Sequence, residues 1–311
     1  MIYHHPSELD RTRSYIATIG TFDGVHLGHQ KIMEHLLHGA SAAGLKPLII
    51  TFDNNPKAFV EVSIIPEVLS PTDKLELLGA YADVLTIRFD EAIRQMSQQE
   101  FIEYLGVDIR EMIIGHDFRF GYRRDEIAAK IIVTQVDPVY LGDEIISSTF
   151  LRTLLRQGDM ETMRAALGRY HYYTGQVVHG LKRGKRLGFP TLNLTIENNL
   201  RSLKRGVYIT LATIDGVRHQ SVSNIGLNPT FEDKPFTLET HILDFHQDIY
   251  GKQVQVAFLH FLRDEIIFTE LEQLQHQMTL DVANTRTYFS QQEDDNGQTD
   301  RLTKTLHSTE L

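Results

Sequence analysis

Two hydrophobic rhythms divide this chain. As far as about Leu167, short apolar runs alternate with stretches of helical period. The runs SYIATIG (14–20), PLIITF (47–52), VLTIR (84–88) and MIIG (112–115) have the length and branched content of buried strands. The clearest amphipathic stretch between them, Leu27 to Ala43, predicts a helix. Ser97 and Glu100 have capping-box spacing ahead of Phe101, Ile102 and Leu105. Strands alternating with helices predict a parallel sheet covered on both faces, with ligands at the carboxyl ends of the strands.

From about Tyr170 the period becomes two. Val207, Ile209 and Leu211 alternate with Tyr208, Thr210 and Ala212, and Val254, Val256 and Phe258 do the same further on. Asp215-Gly216 is a hairpin turn signal. Successive strands without helices between them predict an antiparallel barrel or sandwich. One helix follows, with Leu271, Leu274, Met278 and Val282 on a common face. The residues from about Gln292 are polar and read as a frayed tail. The expected organisation is a first domain over 1–160, a second over 168–291 and a tail over 292–311, the boundary falling between Gly158 and Tyr170.

Length agrees: 311 residues at about 150 per domain make two. The net charge of −10 argues against bulk binding to nucleic acid or to an anionic membrane. With no cysteine, disulfides, thiolate metal sites and a cysteine nucleophile are excluded. The first fourteen residues carry no apolar signal-peptide core, and no apolar run nears the ~20 residues of a membrane span. The expectation is a cytoplasmic protein with no nucleic-acid or membrane partner; its oligomeric state is left open.

Candidate chemistry begins where the first strand runs into GTFDGVHLGHQ (20–30). Gly20, Gly24 and Gly28 permit a tight turn and close backbone approach. A helix starting near His26 points free amides at an anion. His26 and His29, three apart, share a face there and suit stabilisation of charge in phosphoryl or nucleotidyl transfer. Two other readings stay open: ordinary surface histidines on a capped helix, or a metal site of Asp23, His26 and His29. Lys31 either assists or is solvated.

A second concentration lies in VVHGLKRGKRLGFPTLNL (177–194). Lys182, Arg183, Lys185 and Arg186 sit around Gly180, Gly184 and Gly188, so cations and a glycine-lined nest of amides make an anion trap in an acidic protein. A solvated basic turn and a nucleic-acid patch are the alternatives. In PTLN, Thr191 and Asn193 are alternate residues, and their oxygens suit Mg²⁺. Downstream, Leu238, Thr240 and Ile242 share one face of a strand, and Glu239 and His241 the other. A carboxylate in mid-strand is either solvated or placed as a general base.

TIGTFDGVHLGHQ resembles the N-terminal signature of the bacterial bifunctional riboflavin kinase/FAD synthetase family. LSPTDKLELL (69–78), QQEFIEYL (98–105), GHDFRFGYRR (115–124) and ISSTFLR (146–152) follow in the same order. So do HGxxRGxxLGFPTxN, GVY (206–208), SNIGLNPTF (223–231), ETHILDF (239–245) and FLRDE (261–265) of its kinase half. The resemblance implies a Rossmann-like nucleotidyltransferase domain over 1–160 that adenylylates FMN to FAD, and a small antiparallel barrel with a C-terminal helix over 168–291 that phosphorylates riboflavin to FMN. ATP is the co-substrate of both, with Mg²⁺.

By the same resemblance His26 and His29 contact the ATP phosphates, in a nucleotide site shared with Gly20, Phe22, Asp23, Gly24, Gly28, Ser148, Thr149 and Arg152. Asp117 and Phe118 line the nucleotide or flavin pocket. In the kinase half Gly180, Lys182, Arg183, Gly188 and Pro190 wrap the phosphates, Thr191 and Asn193 serve the metal, Glu239 is the base and Arg263 belongs to the flavin or nucleotide pocket. The sequence departs from the family pattern at Asn55, where a His is common, at Phe150, where an Arg is common, and at Asp125-Glu126, where a glycine is expected. All three departures lie in the first half. The alternatives are therefore a single-activity riboflavin kinase with a degenerate N-terminal domain, or a flavin-binding regulator without turnover.

Overall fold

The computed structural model describes residues 1–61, 65–116, 131–179, 188–196, 203–227 and 236–306, with backbone alone for 196, 227, 236 and 293–306. By contact the chain divides into two units: Met1–Arg156 with Thr162–Arg169, and Gln157–Glu161 with Tyr170–Leu311.

The first unit is built on β2 (Ser14–Ile19), whose residues alternate between two cores. Tyr15, Ala17 and Ile19 pack on one face with Leu48, Ile50 and Phe101. Ile16 packs on the other with Met33, Leu36, Ile49 and Val84. A strand buried on both faces needs cover on both, which is why this sheet is parallel. The other strands are β1 (Ile2–Tyr3), β3 (Lys46–Phe52), β4 (Asp83–Ile87), β5 (Asp108–Gly115) and β6 (Ile132–Val136), in the spatial order β1-β4-β3-β2-β5-β6. The order reverses between β2 and β5, so a crevice opens there at the carboxyl ends.

Helix α1 (Leu27–Ala43) covers one face and ends on Gly44 in the left-handed region. Then come α2 (Pro56–Glu61), α3 (Pro71–Gly79), α4 (Glu91–Gln95) and α5 (Gln98–Leu105). The capping box of α5 forms as read: Glu100 N–H donates to Ser97 Oγ (3.2 Å) and Ser97 N–H to Glu100 Oε2 (2.7 Å). After β6 come a small hairpin, β7 (Tyr140–Leu141) and β8 (Glu144–Ile145), then α6 (Ser148–Gln157) and α7 (Met160–Leu167). The strand expected over 112–115 starts earlier, at Asp108. Its polar first half lacks the apolar signal and is held by pairing Ser14 with Asp108.

The second unit is a closed barrel, β10-β13-β12-β11-β14-β9, of β9 (His171–Val178), β10 (Leu192–Ile196), β11 (Gly206–Ile214), β12 (Val217–Leu227), β13 (Phe236–Ile242) and β14 (Gln253–Arg263). Asp215 and Gly216 turn with φ of 48° and 81°, as a two-residue hairpin requires. Inside the barrel the hydroxyls of Thr210, Ser221, Ser223 and Thr240 are joined by three 2.8 Å hydrogen bonds, so each of these oxygens has a partner in the core.

Helix α8 (Leu271–Leu306) corrects the frayed tail: its backbone stays helical through the polar residues to Leu306. Once a packed segment has nucleated a helix, each further polar residue extends it at little cost.

Candidate functional site

In the first unit the loop after β2 is shaped for a tight path. Phe22, Gly24 and Val25 all have positive φ (48°, 88° and 41°). A Cβ on Gly24 would meet Leu151 Cδ1 at 2.6 Å, so only glycine fits there. The loop is clamped by two side chains, one of them from outside the motif. Arg169 donates to the carbonyls of Gly24 (2.8 Å) and Val25 (3.0 Å), and Gln30 to that of Val25 (3.0 Å). Arg169 carries no motif signal and was not found from the sequence.

The loop delivers His26 as the N-cap of α1, where His26 Nδ1 accepts from His29 N–H (3.3 Å). The ring proton of neutral His26 therefore sits on Nε2. The two imidazoles stack, with centroids 3.6 Å apart. Burial, with Arg169 nearby, lowers the His26 pKa to about 4. Burial, and then the positive charge His26 would carry, holds His29 well below its ordinary value. Both rings are neutral at physiological pH, and His26 is buried rather than an ordinary surface group.

They face a cavity of about 1130 Å³ at the carboxyl ends of β2, β3, β5 and β6, lined also by Gly20, Phe22, Gly28, Asn55, Phe89, Ser148, Thr149 and Arg152. Asp23 lies beneath it. Asp23 Oδ1 accepts from Val68 N–H (2.8 Å), and Oδ2 forms a buried pair with Arg152 Nη2 (2.5 Å). Burial raises the Asp23 pKa and outweighs Arg152, which opposes it. Ser148 Oγ donates to the Asp23 carbonyl (2.8 Å), so the start of α6 is locked to the glycine loop. Among the described residues no three His, Cys, Asp or Glu side chains converge as a metal cage, which removes the Asp23–His26–His29 metal reading.

Lys31 Nζ donates to the Asp137 carbonyl (3.2 Å). Asn55 caps α2 through Lys57 N–H (3.0 Å), and Phe150 lies on α6 outside the lining. Asn54 brackets Phe89, donating to its carbonyl and accepting from its N–H, both at 2.8 Å. Asp117, Phe118, Asp125 and Glu126 lie outside the described residues.

In the second unit one row of the ladder gathers the candidates. Glu239 on β13 stands opposite Asn193 on β10 and Asn224 on β12, and Asn193 in turn stands opposite Val178 on β9. Their neighbours Leu194, Leu238 and Ile225 are buried inside the barrel, so this row lies on its outer face, with Asn193, Glu239 and Asn224 half-buried. Thr191 enters β10 just ahead of Asn193. The segment before it is held by His241, the outward neighbour of Glu239. His241 Nδ1 donates to the Pro190 carbonyl (2.8 Å), and its ring meets Phe189 edge-on at 5.6 Å. The sequence placed His241 on the Glu239 face but gave it no task. Gly188 has φ of 88°, a conformation glycine adopts without strain. Gly180, Lys182 and Arg183 lie outside the described residues, as do Gly184, Lys185 and Arg186.

Arg263 ends β14. It makes a two-pronged pair with Asp281 of α8, Nε to Oδ1 at 2.8 Å and Nη2 to Oδ2 at 2.7 Å, and Gln277 also donates to Asp281 (2.9 Å). In this geometry Arg263 pins the C-terminal helix to β14.

A family model described as FAD synthetase matches residues 9–150, and one described as riboflavin kinase matches 167–289. The bifunctional riboflavin kinase/FMN adenylyltransferase of Listeria monocytogenes is 32% identical over 311 residues, covering 94% of this chain and 98% of that protein. The protein of the same description from Haemophilus influenzae is 33% identical over 289 residues, covering 88% and 94%. A crystal structure named as a macrolide-efflux protein from Streptococcus pneumoniae has the same fold, with a TM-score of 0.83 at 27% identity over 92% of this chain and 98% of that one. No helix among the described residues is long and apolar enough to cross a membrane. With both domain matches in sequence and relatives aligned nearly end to end, the chain belongs to the bifunctional riboflavin kinase/FMN adenylyltransferase family.

Proposed function

We infer that this chain makes FAD from riboflavin in two ATP-dependent steps, the barrel unit phosphorylating riboflavin to FMN and the parallel-sheet unit adenylylating FMN. The carrying observation is that each unit presents its own candidate site: Glu239 opposite Asn193 on the barrel, and the stacked His26–His29 pair facing a large cavity. We assign the domains as 1–160 and 168–291.

In the kinase step, Glu239 accepts the proton of the ribityl 5′-hydroxyl. That oxygen bonds to the γ-phosphorus as the bond to the β-γ bridging oxygen breaks, and ADP leaves. Thr191 and Asn193 would hold Mg²⁺. Their hydroxyl and carboxamide oxygens are hard donors, and two protein ligands suit an ion that keeps waters and takes phosphate oxygens. When bound, it supplies positive charge to the triphosphate. His241, through Pro190, fixes the approach of Thr191 to Glu239.

In the adenylyl step, a phosphate oxygen of FMN bonds to the α-phosphorus of ATP, the bond to the α-β bridging oxygen breaks, and pyrophosphate leaves. The neutral rings donate hydrogen bonds to the phosphates, with His26 donating from Nε2, and transfer no proton. Cap and cavity geometry pre-arrange them, so little reorganisation is needed as charge shifts. Ser148 and Thr149 complete the phosphate-facing wall. Arg152 acts through Asp23, holding the glycine loop. Use of ATP in both steps fits a cytoplasmic enzyme.

Product analysis tests this. With riboflavin and Mg-ATP the protein is expected to yield FMN and then FAD. FMN that accumulates without FAD would leave the kinase alone, and flavin binding without ATP consumption would leave neither activity.

A further inference from the structure

The outer row that carries Glu239 has a member with no task in either step. Asn224 stands opposite Glu239 on the side away from Asn193. Directly opposed residues share a face, with Cβ atoms about 5 Å apart. The Asn224 carboxamide is half-buried, and no described residue hydrogen-bonds to it. Two residues on, Gly226 faces the same way. A Cβ there would lie 3.3 Å from Asn224 Nδ2 and 2.8 Å from Glu265 Oε1. The absent side chain leaves a floor between a carboxamide and a carboxylate, beside Glu239. Glycine inside a strand marks a close approach, and a half-buried amide left unmet costs free energy. Arg205 Nε lies 3.8 Å from Glu265 Oε2 on the far side.

We propose that Asn224, Gly226 and Glu265 form a polyol subsite that reads secondary hydroxyls of the substrate's ribityl chain. Each hydroxyl on such a chain is both donor and acceptor. A carboxamide meets both needs, and a carboxylate takes a donated proton. The inter-strand spacing of about 4.8 Å puts Asn224 within reach of hydroxyls a few bonds from the one Glu239 deprotonates. Asn224 is then a specificity residue: it selects a hydroxylated chain and sets how deeply that chain enters.

The inference rests on Glu239 marking the kinase site, and the experiment separates the two. FMN-type product formation is measured with riboflavin, 3′-deoxyriboflavin and 4′-deoxyriboflavin, for the full chain and for Asn224→Ala. The unaltered protein is expected to lose about ten-fold in kcat/KM for at least one deoxyflavin. Asn224→Ala should treat that analogue and riboflavin within two-fold of each other. Gly226→Ala is the second variant, because the end of the Glu265 side chain can move aside for a methyl group. It should raise KM for riboflavin and leave KM for ATP unchanged. Far-UV circular dichroism and thermal unfolding of each preparation report folding of the barrel. Discrimination preserved in Asn224→Ala, or absent from the unaltered protein, overturns the subsite. If Glu239→Gln still forms FMN, the underlying assignment of the site fails instead.

Discussion

Asn193 and Glu239 face each other across the β10–β13 ladder, and strand pairing alone brings them together. On the proposed assignment the pair marks the kinase site, the carboxamide that would face the metal and the proposed base being held at one register position of a closed barrel. A slip of one residue would turn both to the wrong face.

Replacing Glu239 by Gln keeps the shape and removes the proposed base. FMN formation should fall about 10²- to 10⁴-fold, while FAD formation from added FMN persists. Separate assays of the two steps on one preparation check this. Loss of both steps in a folded protein would refute the division into two sites.

His29→Ala should do the reverse, lowering FAD formation from FMN by about 10²- to 10³-fold and sparing the kinase. His26 has a second task as the cap of α1, so His26→Ala should also cost about 1 kcal/mol of stability. His26→Asn should recover that stability without recovering the rate. Thermal unfolding read beside activity separates the two effects.

Acid should weaken the first unit. The unfolded chain protonates His26 near 6.5, whereas burial holds the folded ring at about 4. Between those values the unfolded state binds a proton that the folded state refuses. The stability contribution is full above pH 6.5, falls as pH drops through this window, and levels off below it. The loss is roughly 3 kcal/mol for His26 alone. Denaturant titration at pH 7 and pH 5 should show about 2 kcal/mol of it, and His26→Asn should flatten the dependence.

Asp23→Ala should be among the more damaging changes in the first unit. It removes one member of a buried pair and leaves the Arg152 guanidinium without a counter-charge, held by the Pro66 carbonyl (2.8 Å), at a cost of about 3 kcal/mol. A double-mutant cycle with Arg152→Met should show strong coupling, and additive effects would mean the pair does not hold the loop.

In the second unit, Asp281→Asn should loosen α8. Arg263 loses its two-pronged partner, and the buried end of the helix should exchange amide protons faster than the barrel strands. Equal protection before and after the change would show that apolar packing alone holds the helix.

The sequence by itself determined the two architectures, the turn at Asp215-Gly216, the capping box at Ser97 and the faces of Glu239 and Thr240. These follow from spacing within a few residues, where backbone period and local hydrogen bonds act. The motifs around His26 and Thr191 were legible for the same reason, and through their resemblance to a known family. Only the tertiary structure decided what each of those residues meets. It paired Asp23 with Arg152, engaged Arg263 with Asp281, gave Arg169 and His241 clamping tasks, set Asn224 beside Glu239 and made the histidines neutral by burying them. Contacts between distant segments depend on strand order, register and depth, and no short stretch of sequence encodes those. The polar residues after Gln292 show the same limit from the other side: their helix is inherited from the packed turns before them, not from a pattern of their own.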